Sequence, residues 1–378
     1  MRIAIVLYDG NLGGAEKVTV ELASTLRGAG VEATVVFVRD PKGLAADLDR
    51  HDVPYVTFGA RRVEEVLLRP RRFARLVAEH GPDGALLPAI GHQAPALRIG
   101  GYAAPVVAME HGILLLMPRM PLSWRLPHAL DRRLSARFVD AVVAVSDFML
   151  DALRREGLVK RTLRIYNGVS VRTRPDLSGH AHSDGVLTYA HAARLIEGKG
   201  TDTLIEAFAR SESQRRARLL IAGDGPERPR LQRLVESLGL TREVEFSGAV
   251  EDMLAFWSQC DVAILPSTSF VESFGMVAVE AMSLGKPVIA TRNGGVPEVL
   301  GEDAGIIVDP DDPAALASAL NRYASDAELR SKHGARGRRR CEEQFSIERC
   351  AADYAHLFAE LGGAPLPAPT AALEEVHA

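Results

Sequence analysis

Residues 265–300 read LPSTSFVESFGMVAVEAMSLGKPVIATRNGGVPEVL, and this stretch decides the fold. The apolar run Val262–Leu265 ends at Pro266. A polar loop follows, then an apolar helical pattern over Phe274–Leu284, then a second apolar run over Pro287–Thr291. Strand, helix and strand in close succession form a βαβ unit. Two glutamates bracket the turn with seven residues between them. Glu272 stands in the loop at the carboxyl end of a strand, and Glu280 lies about two turns into the helix. Ligands of open α/β sheets bind at that end, where the helix N-terminus offers unpaired N–H groups and the positive end of its dipole. The amides of Phe274, Gly275 and Met276 are therefore candidates to cradle a phosphate, although Glu272 is also simply a favourable acid before a helix.

The same alternation extends in both directions. Towards the N-terminus lie strand Val186–Ala190, helix Thr203–Arg210, strand Arg218–Ala222, helix Pro229–Leu238 and strand Val244–Ser247. The front half holds strands Ile3–Tyr8, Ala33–Val38, Val106–Met109 and Ala141–Val145. Near-continuous apolar strands alternating with helices predict parallel sheets covered on both faces, two Rossmann-like domains in all. The expected division is 1–169, a Ser/Gly/Pro/His-rich linker 170–185, a second domain 186–346, a helix 347–362 and a Pro/Ala-rich flexible tail 363–378.

ESFGMVAVE, followed by AMSLGKPVIAT and GGVPE, resembles the signature of retaining glycosyltransferases of family 4, which have the GT-B fold. The resemblance covers nearly the whole chain to about residue 361. It implies two Rossmann-like domains facing across a cleft, with the last helix crossing back to the first domain. It places Glu272 at the donor sugar, the loop of Ser273, Phe274, Gly275 and Met276 on sugar and phosphate, and Glu280 on the nucleotide ribose. In AARLIEGKG, Arg194 and Lys199 match the family's diphosphate clamp. Alone, two cations at that spacing are ordinary surface charges. Ala193 departs from the family's usual Gly. IAGDGPE is a turn signal by itself; in the family this turn lines the nucleotide pocket, which adds Gly223 and Asp224. EFSGAV matches a loop whose backbone holds the base, near Gly248 and Val250.

In the front half, DGNLGGAEKV opens a helix after the first strand. Gly13 and Gly14 form either a plain βα turn or a backbone nest near the diphosphate or acceptor, and GGAE also resembles the family. GxGxxG is absent from this turn, which argues against a dinucleotide oxidoreductase. His111 follows strand Val106–Met109. A lone His there is often structural, but the resemblance puts it beside the donor sugar as a catalytic residue. Ser146 reads as a helix cap, and Asn167 as a residue suited to an unusual turn backbone. The Arg-rich stretch 61–75 is either a solvated helical face or a patch for an anionic acceptor or membrane surface.

Of the 45 basic residues, 39 are Arg. Residues 1–170 carry 23 basic and 18 acidic residues, and 171–378 carry 22 and 31, so a basic front half joins an acidic rear half. The net charge of −4 gives no nucleic-acid signal. Three widely spaced cysteines imply neither a disulfide framework nor a zinc site. Asp312–Pro313 in DPDDP reads as a helix start rather than a metal site, and no metal or other cofactor is expected. The Arg bias suggests a bacterial source; no signal peptide or membrane span is evident, so a cytoplasmic protein is expected, with peripheral contact at the inner face of the membrane as an option.

These readings lead to an expected activity. It is retaining transfer of a hexosyl or N-acetylhexosaminyl group from a UDP-sugar to a cell-envelope glycan or lipid-linked acceptor. GDP-mannose as donor and a small acceptor such as an aminocyclitol are the alternatives.

Overall fold

The computed structural model describes residues 1–10, 14–112, 122–171 and 186–363. Gly13, most of the expected linker and the tail beyond Gly363 lie outside these residues. The described chain forms two compact units: 1–170 with 344 onward, and 171–343.

The first unit contains β1 (Arg2–Leu7), α1 (Gly14–Gly28), β2 (Glu32–Phe37), α2 (Leu44–Arg50), β3 (Tyr55–Thr57), α3 (Glu65–Leu68), α4 (Pro70–His80), β4 (Gly84–Leu87), α5 (Gln93–Ile99), β5 (Val106–Glu110), α6 (Leu122–Ser135), β6 (Ala141–Ala144), α7 (Asp147–Glu156) and β7 (Thr162–Arg164). Its strands form one parallel sheet in the order β3-β2-β1-β4-β5-β6-β7. The burial pattern explains the apolar runs: five of the six residues of both β1 and β2 are buried. α7 begins at Ser146, whose hydroxyl accepts from the Met149 N–H at 3.1 Å, as its sequence position suggests. Asn167 has no left-handed backbone, so the turn reading for it does not hold; it is simply buried.

The second unit contains β8 (Leu187–Ala192), α8 (Thr201–Arg210), β9 (Ala217–Ala222), α9 (Arg228–Ser237), β10 (Val244–Gly248), α10 (Met253–Ser258), β11 (Val262–Leu265), α11 (Met276–Ser283), β12 (Val288–Thr291), α12 (Val296–Leu300), β13 (Gly305–Val308), α13 (Pro313–Ser325) and α14 (Ala327–Gln344). The strands run parallel in the order β10-β9-β8-β11-β12-β13. This is the doubly wound Rossmann order, which reverses at the β8/β11 junction and opens a ligand crevice there. Asp312 caps α13 by accepting from the Ala314 and Ala315 N–H groups.

The last helix, α15 (Ile347–Gly362), belongs to the first unit and packs on α1. Its Ile347, Cys350, Tyr354, Leu357 and Phe358 join the core made by β1, β2 and α1. A short parallel bridge anchors the return: the Val169 N–H donates to Phe345 O and the Ile347 N–H to Val169 O. All three cysteines are buried and free, and burial pushes each thiol up to about 12, which makes them inert packing groups.

Candidate active site

The two loops that leave β8 and β11 meet at the reversal of strand order in the second unit. Their closeness rests on glycine. Gly200, the residue before α8, has φ 70°, and a Cβ there would fall 1.8 Å from the carbonyl oxygen of Pro266. The Thr268 and Phe270 N–H groups both donate to Gly198 O, at 2.7 and 3.2 Å. The loops are thus stitched backbone to backbone.

That stitching brings Lys199 to Glu272. Lys199 Nζ donates to Glu272 Oε1 at 2.7 Å and lies 3.6 Å from the centre of the Phe270 ring. Both side chains are nearly buried, 13% and 11% exposed, where opposite charges attract more strongly than in water. Ser267 Oγ donates to the same Oε1 at 2.5 Å. Asn293 fixes the loop beneath. Its Oδ1 accepts the Glu272 N–H at 3.0 Å, and its Nδ2 donates to Thr268 O at 2.6 Å. The Gly295 N–H donates to Glu272 O at 2.8 Å. Glu272 is therefore held at its main chain and at one carboxylate oxygen.

Arg194 shares the β8 loop with Lys199. It is exposed and carries no ion pair among the described residues. A dianionic ligand at this junction meets one open cation and one already paired. Neighbouring Ala193 is accommodated because the close approach is made on the other side. Gly223 has φ 123°, and a Cβ there would lie 1.8 Å from Ala193 O. The loops after β9 and β10 join the same end of the sheet. The Leu195 N–H donates to Asp224 O at 2.9 Å, and the Gly223 N–H to Gly248 O at 2.6 Å. The Asp224 carboxylate is turned to its own turn, accepting from the Gly225 N–H and Arg228 Nη1. Val250 is half-buried just beyond β10.

α11 begins at Met276 rather than at Phe274, because Gly275 takes φ 94° and ends the loop in left-handed backbone. Phe274 is buried and Ser273 half-buried. Glu280 lies one turn into α11, and its Oε2 accepts from Trp257 Nε1 of α10 at 3.1 Å.

Gly14 and His111 belong to the first unit. Gly14 is the first residue of α1, and Gly13 lies outside the described residues. His111 follows β5 directly. The residue is half-buried, its Nε2 is fully buried with no hydrogen-bond partner among the described residues, and burial pushes its pKa down to about 4. It is neutral at pH 7. Glu110 before it accepts from the Ile90 N–H at 2.8 Å and Arg132 Nη1 at 2.7 Å. Arg132 completes a fork on Glu156 at 3.1 and 2.7 Å.

Sequence reading missed Ser267, Phe270, Asn293, Trp257 and His191. His191 sits on β8, fully buried, with Nδ1 3.0 Å from Ile264 O and Nε2 3.0 Å from Thr201 Oγ1. A carbonyl only accepts, so Nδ1 carries the proton and Nε2 accepts from Thr201. Burial holds its pKa down to about 4. The only sequence signal for it was a His within an apolar strand.

The family description "Glycosyltransferase Family 4" matches residues 12–173, and "Glycosyl transferases group 1" matches residues 177–340. The chain is a glycosyltransferase of the family 4 type. This glycosyltransferase is 29% identical to the lipopolysaccharide core biosynthesis glycosyltransferase LpsE of Rhizobium meliloti over 364 residues, 93% of this chain and 97% of LpsE. It is 29% identical to the N-acetyl-alpha-D-glucosaminyl L-malate synthase of Bacillus anthracis over 229 residues, 58% of this chain but only 59% of the synthase. Among solved structures it resembles Anabaena Alr3699/HepE in complex with UDP and glucose. The TM-score is 0.80 at 24% identity, covering 96% of this chain and 100% of the other. That likeness and the two parallel sheets establish the GT-B fold of the glycosyltransferase.

Proposed function

We propose that this glycosyltransferase transfers a hexosyl or N-acetylhexosaminyl group from a UDP-sugar, with retention of anomeric configuration and without a metal ion, to a cell-envelope glycan or lipid-linked acceptor. The observation that carries the reading is the Lys199–Glu272 pair at the β8/β11 junction with Arg194 open beside it. In the proposed reaction, the bond between the anomeric carbon and the diphosphate oxygen breaks. The acceptor hydroxyl forms the new bond on the same face, and its proton leaves with the departing UDP. Arg194, Lys199 and the amides at the start of α11 take up the charge developing on the diphosphate, the place otherwise served by a metal ion. Glu272 orients the sugar through the oxygen that neither Ser267 nor Lys199 occupies, and Glu280 holds the ribose. Gly223, Asp224, Gly248 and Val250 line the nucleotide side. His111, Gly13 and Gly14 serve the reacting sugar from the first unit, which takes the acceptor.

The UDP donor is supported by the UDP and glucose in the HepE complex, and the envelope acceptor by the role in the name of LpsE, matched end to end. The name of the malate synthase favours a second reading, transfer to a small hydroxylated acceptor. The test is incubation with UDP-glucose, UDP-N-acetylglucosamine and GDP-mannose, each with glycan and small-molecule acceptors, followed by NMR of the product's anomeric centre. Retained configuration from a UDP-sugar supports the reading; inversion, or transfer from GDP-mannose alone, contradicts it.

A further inference from the structure

The backbone ladder between β8 and β11 stops short of the site. Tyr189 pairs with Val262 and Ala190 with Ala263, and the ladder ends there. On its other edge β8 stays paired with β9 as far as Ala192. The two strands therefore part at His191 and Ile264, which would be the next pair in this register. The loops bearing Lys199 and Glu272 leave from that opening.

At this point a side chain takes over from the backbone. His191 is fully buried; its Nδ1 donates to Ile264 O at 3.0 Å and its Nε2 accepts from Thr201 Oγ1 at 3.0 Å. One imidazole thus ties β8, β11 and the first residue of α8. A dry core gains no packing from imidazole over an aliphatic side chain, and a buried polar group is tolerated only when its partners are met. What the ring adds is direction: it fixes how far the strands part and where α8 begins.

Lys199, Gly200 and Thr201 are consecutive. Gly200 already lies against the Pro266 carbonyl, which limits how closely the loop approaches. The Thr201 hydroxyl on His191 limits its retreat. The ring is also within electrostatic reach of both charges of the site. Beyond burial and the Ile264 bond, Lys199 and Glu272 act on its pKa in opposite senses.

We propose that His191 is a positioning residue for the donor diphosphate: by joining Ile264 O to the Thr201 hydroxyl, it sets the spacing of the loops that carry Lys199 and Glu272. Being fully buried, it acts through those loops and not on the ligand. The inference rests on the reading of the β8/β11 junction as the UDP site.

The test is calorimetric titration of UDP into the full chain and into His191→Leu, Thr201→Val and Thr201→Ser, each at a temperature where its urea unfolding curve shows it folded. His191→Leu removes both bonds. Thr201→Val removes the hydroxyl and keeps the shape, and Thr201→Ser keeps the hydroxyl. UDP affinity should fall about tenfold or more in the first two and stay near the wild-type value in the third. The effects should also fail to add. On a Lys199→Ala background, Thr201→Val should cost far less, because the cation being positioned is gone. A merely structural role lowers the unfolding midpoint and leaves the UDP affinity of the folded protein unchanged; that result overturns the inference alone. A Thr201→Val loss that persists undiminished without Lys199 also overturns it. Absence of UDP binding by the wild type removes the donor-site reading, and the inference with it.

Discussion

Lys199 and Glu272 are 73 positions apart in the chain, yet Lys199 Nζ lies 2.7 Å from Glu272 Oε1. The pairing follows from strand order. β8 and β11 are neighbours in the sheet, so the loops at their carboxyl ends share one space. In the free protein each charge compensates the other; a bound diphosphate would add a stronger claim on the lysine.

Replacing that lysine should separate catalysis from folding. Lys199→Ala removes the cation that the proposed function places on the departing diphosphate, and a fall in kcat of about 10²–10³-fold is expected. Steady-state kinetics measures it. Unfolding in urea should show a smaller effect, because Glu272 retains Ser267 as a donor.

Asn293 is expected to matter through Glu272 rather than through substrate. Asn293→Ala strands the Glu272 N–H and the carbonyl of Thr268. A stability loss of about 1–3 kcal/mol is expected from unmet buried groups, read from denaturant midpoints. Donor KM should rise as the glutamate loop loosens.

His191 makes stability depend on pH. Its pKa falls from 6.5 to about 4 on folding. The unfolded chain therefore binds the proton more readily, so the contribution is complete above pH 6.5 and is lost as pH drops toward 4. The full change is about 3 kcal/mol by linkage. Urea unfolding between pH 7 and pH 4 should show the decline, and His191→Gln should flatten part of it.

Arg132 is the mainstay of the polar core beside His111. Among the described residues, Arg132→Ala leaves buried Glu110 with the Ile90 N–H as its one donor. A destabilisation of about 3–5 kcal/mol is expected, measured by urea unfolding. Because Glu110 adjoins His111, turnover should fall even at temperatures where the variant stays folded.

The βαβ alternation was legible because buried parallel strands are nearly unbroken apolar runs, as in β1, β2 and β11. The short strands escaped notice. Tyr55–Thr57 and Thr162–Arg164 are three-residue, half-exposed edges, and Gly84–Leu87 begins with a glycine that the Phe358 ring requires. Glu272, Glu280, Arg194 and Lys199 were legible through their spacing and family resemblance. Ser267, Asn293 and Trp257 were not, because each acts through side-chain hydrogen bonds that hold a neighbouring residue in place. Side-chain hydrogen bonds of this kind leave no period and no charge pattern in the local sequence. The α11 start was misplaced by two residues because Gly275 reads as helical in a pattern but sits at φ 94°.

The most direct test of the account is calorimetric titration of UDP into the wild-type chain and into Lys199→Ala. The account predicts saturable binding by the wild type. At about 100 times the dissociation constant, UDP should raise unfolding stability by about 2.7 kcal/mol, and the substitution should weaken affinity by at least about tenfold. Absence of UDP binding by the wild type, or equal affinity in both proteins, would contradict the assignment of the β8/β11 junction as the donor site.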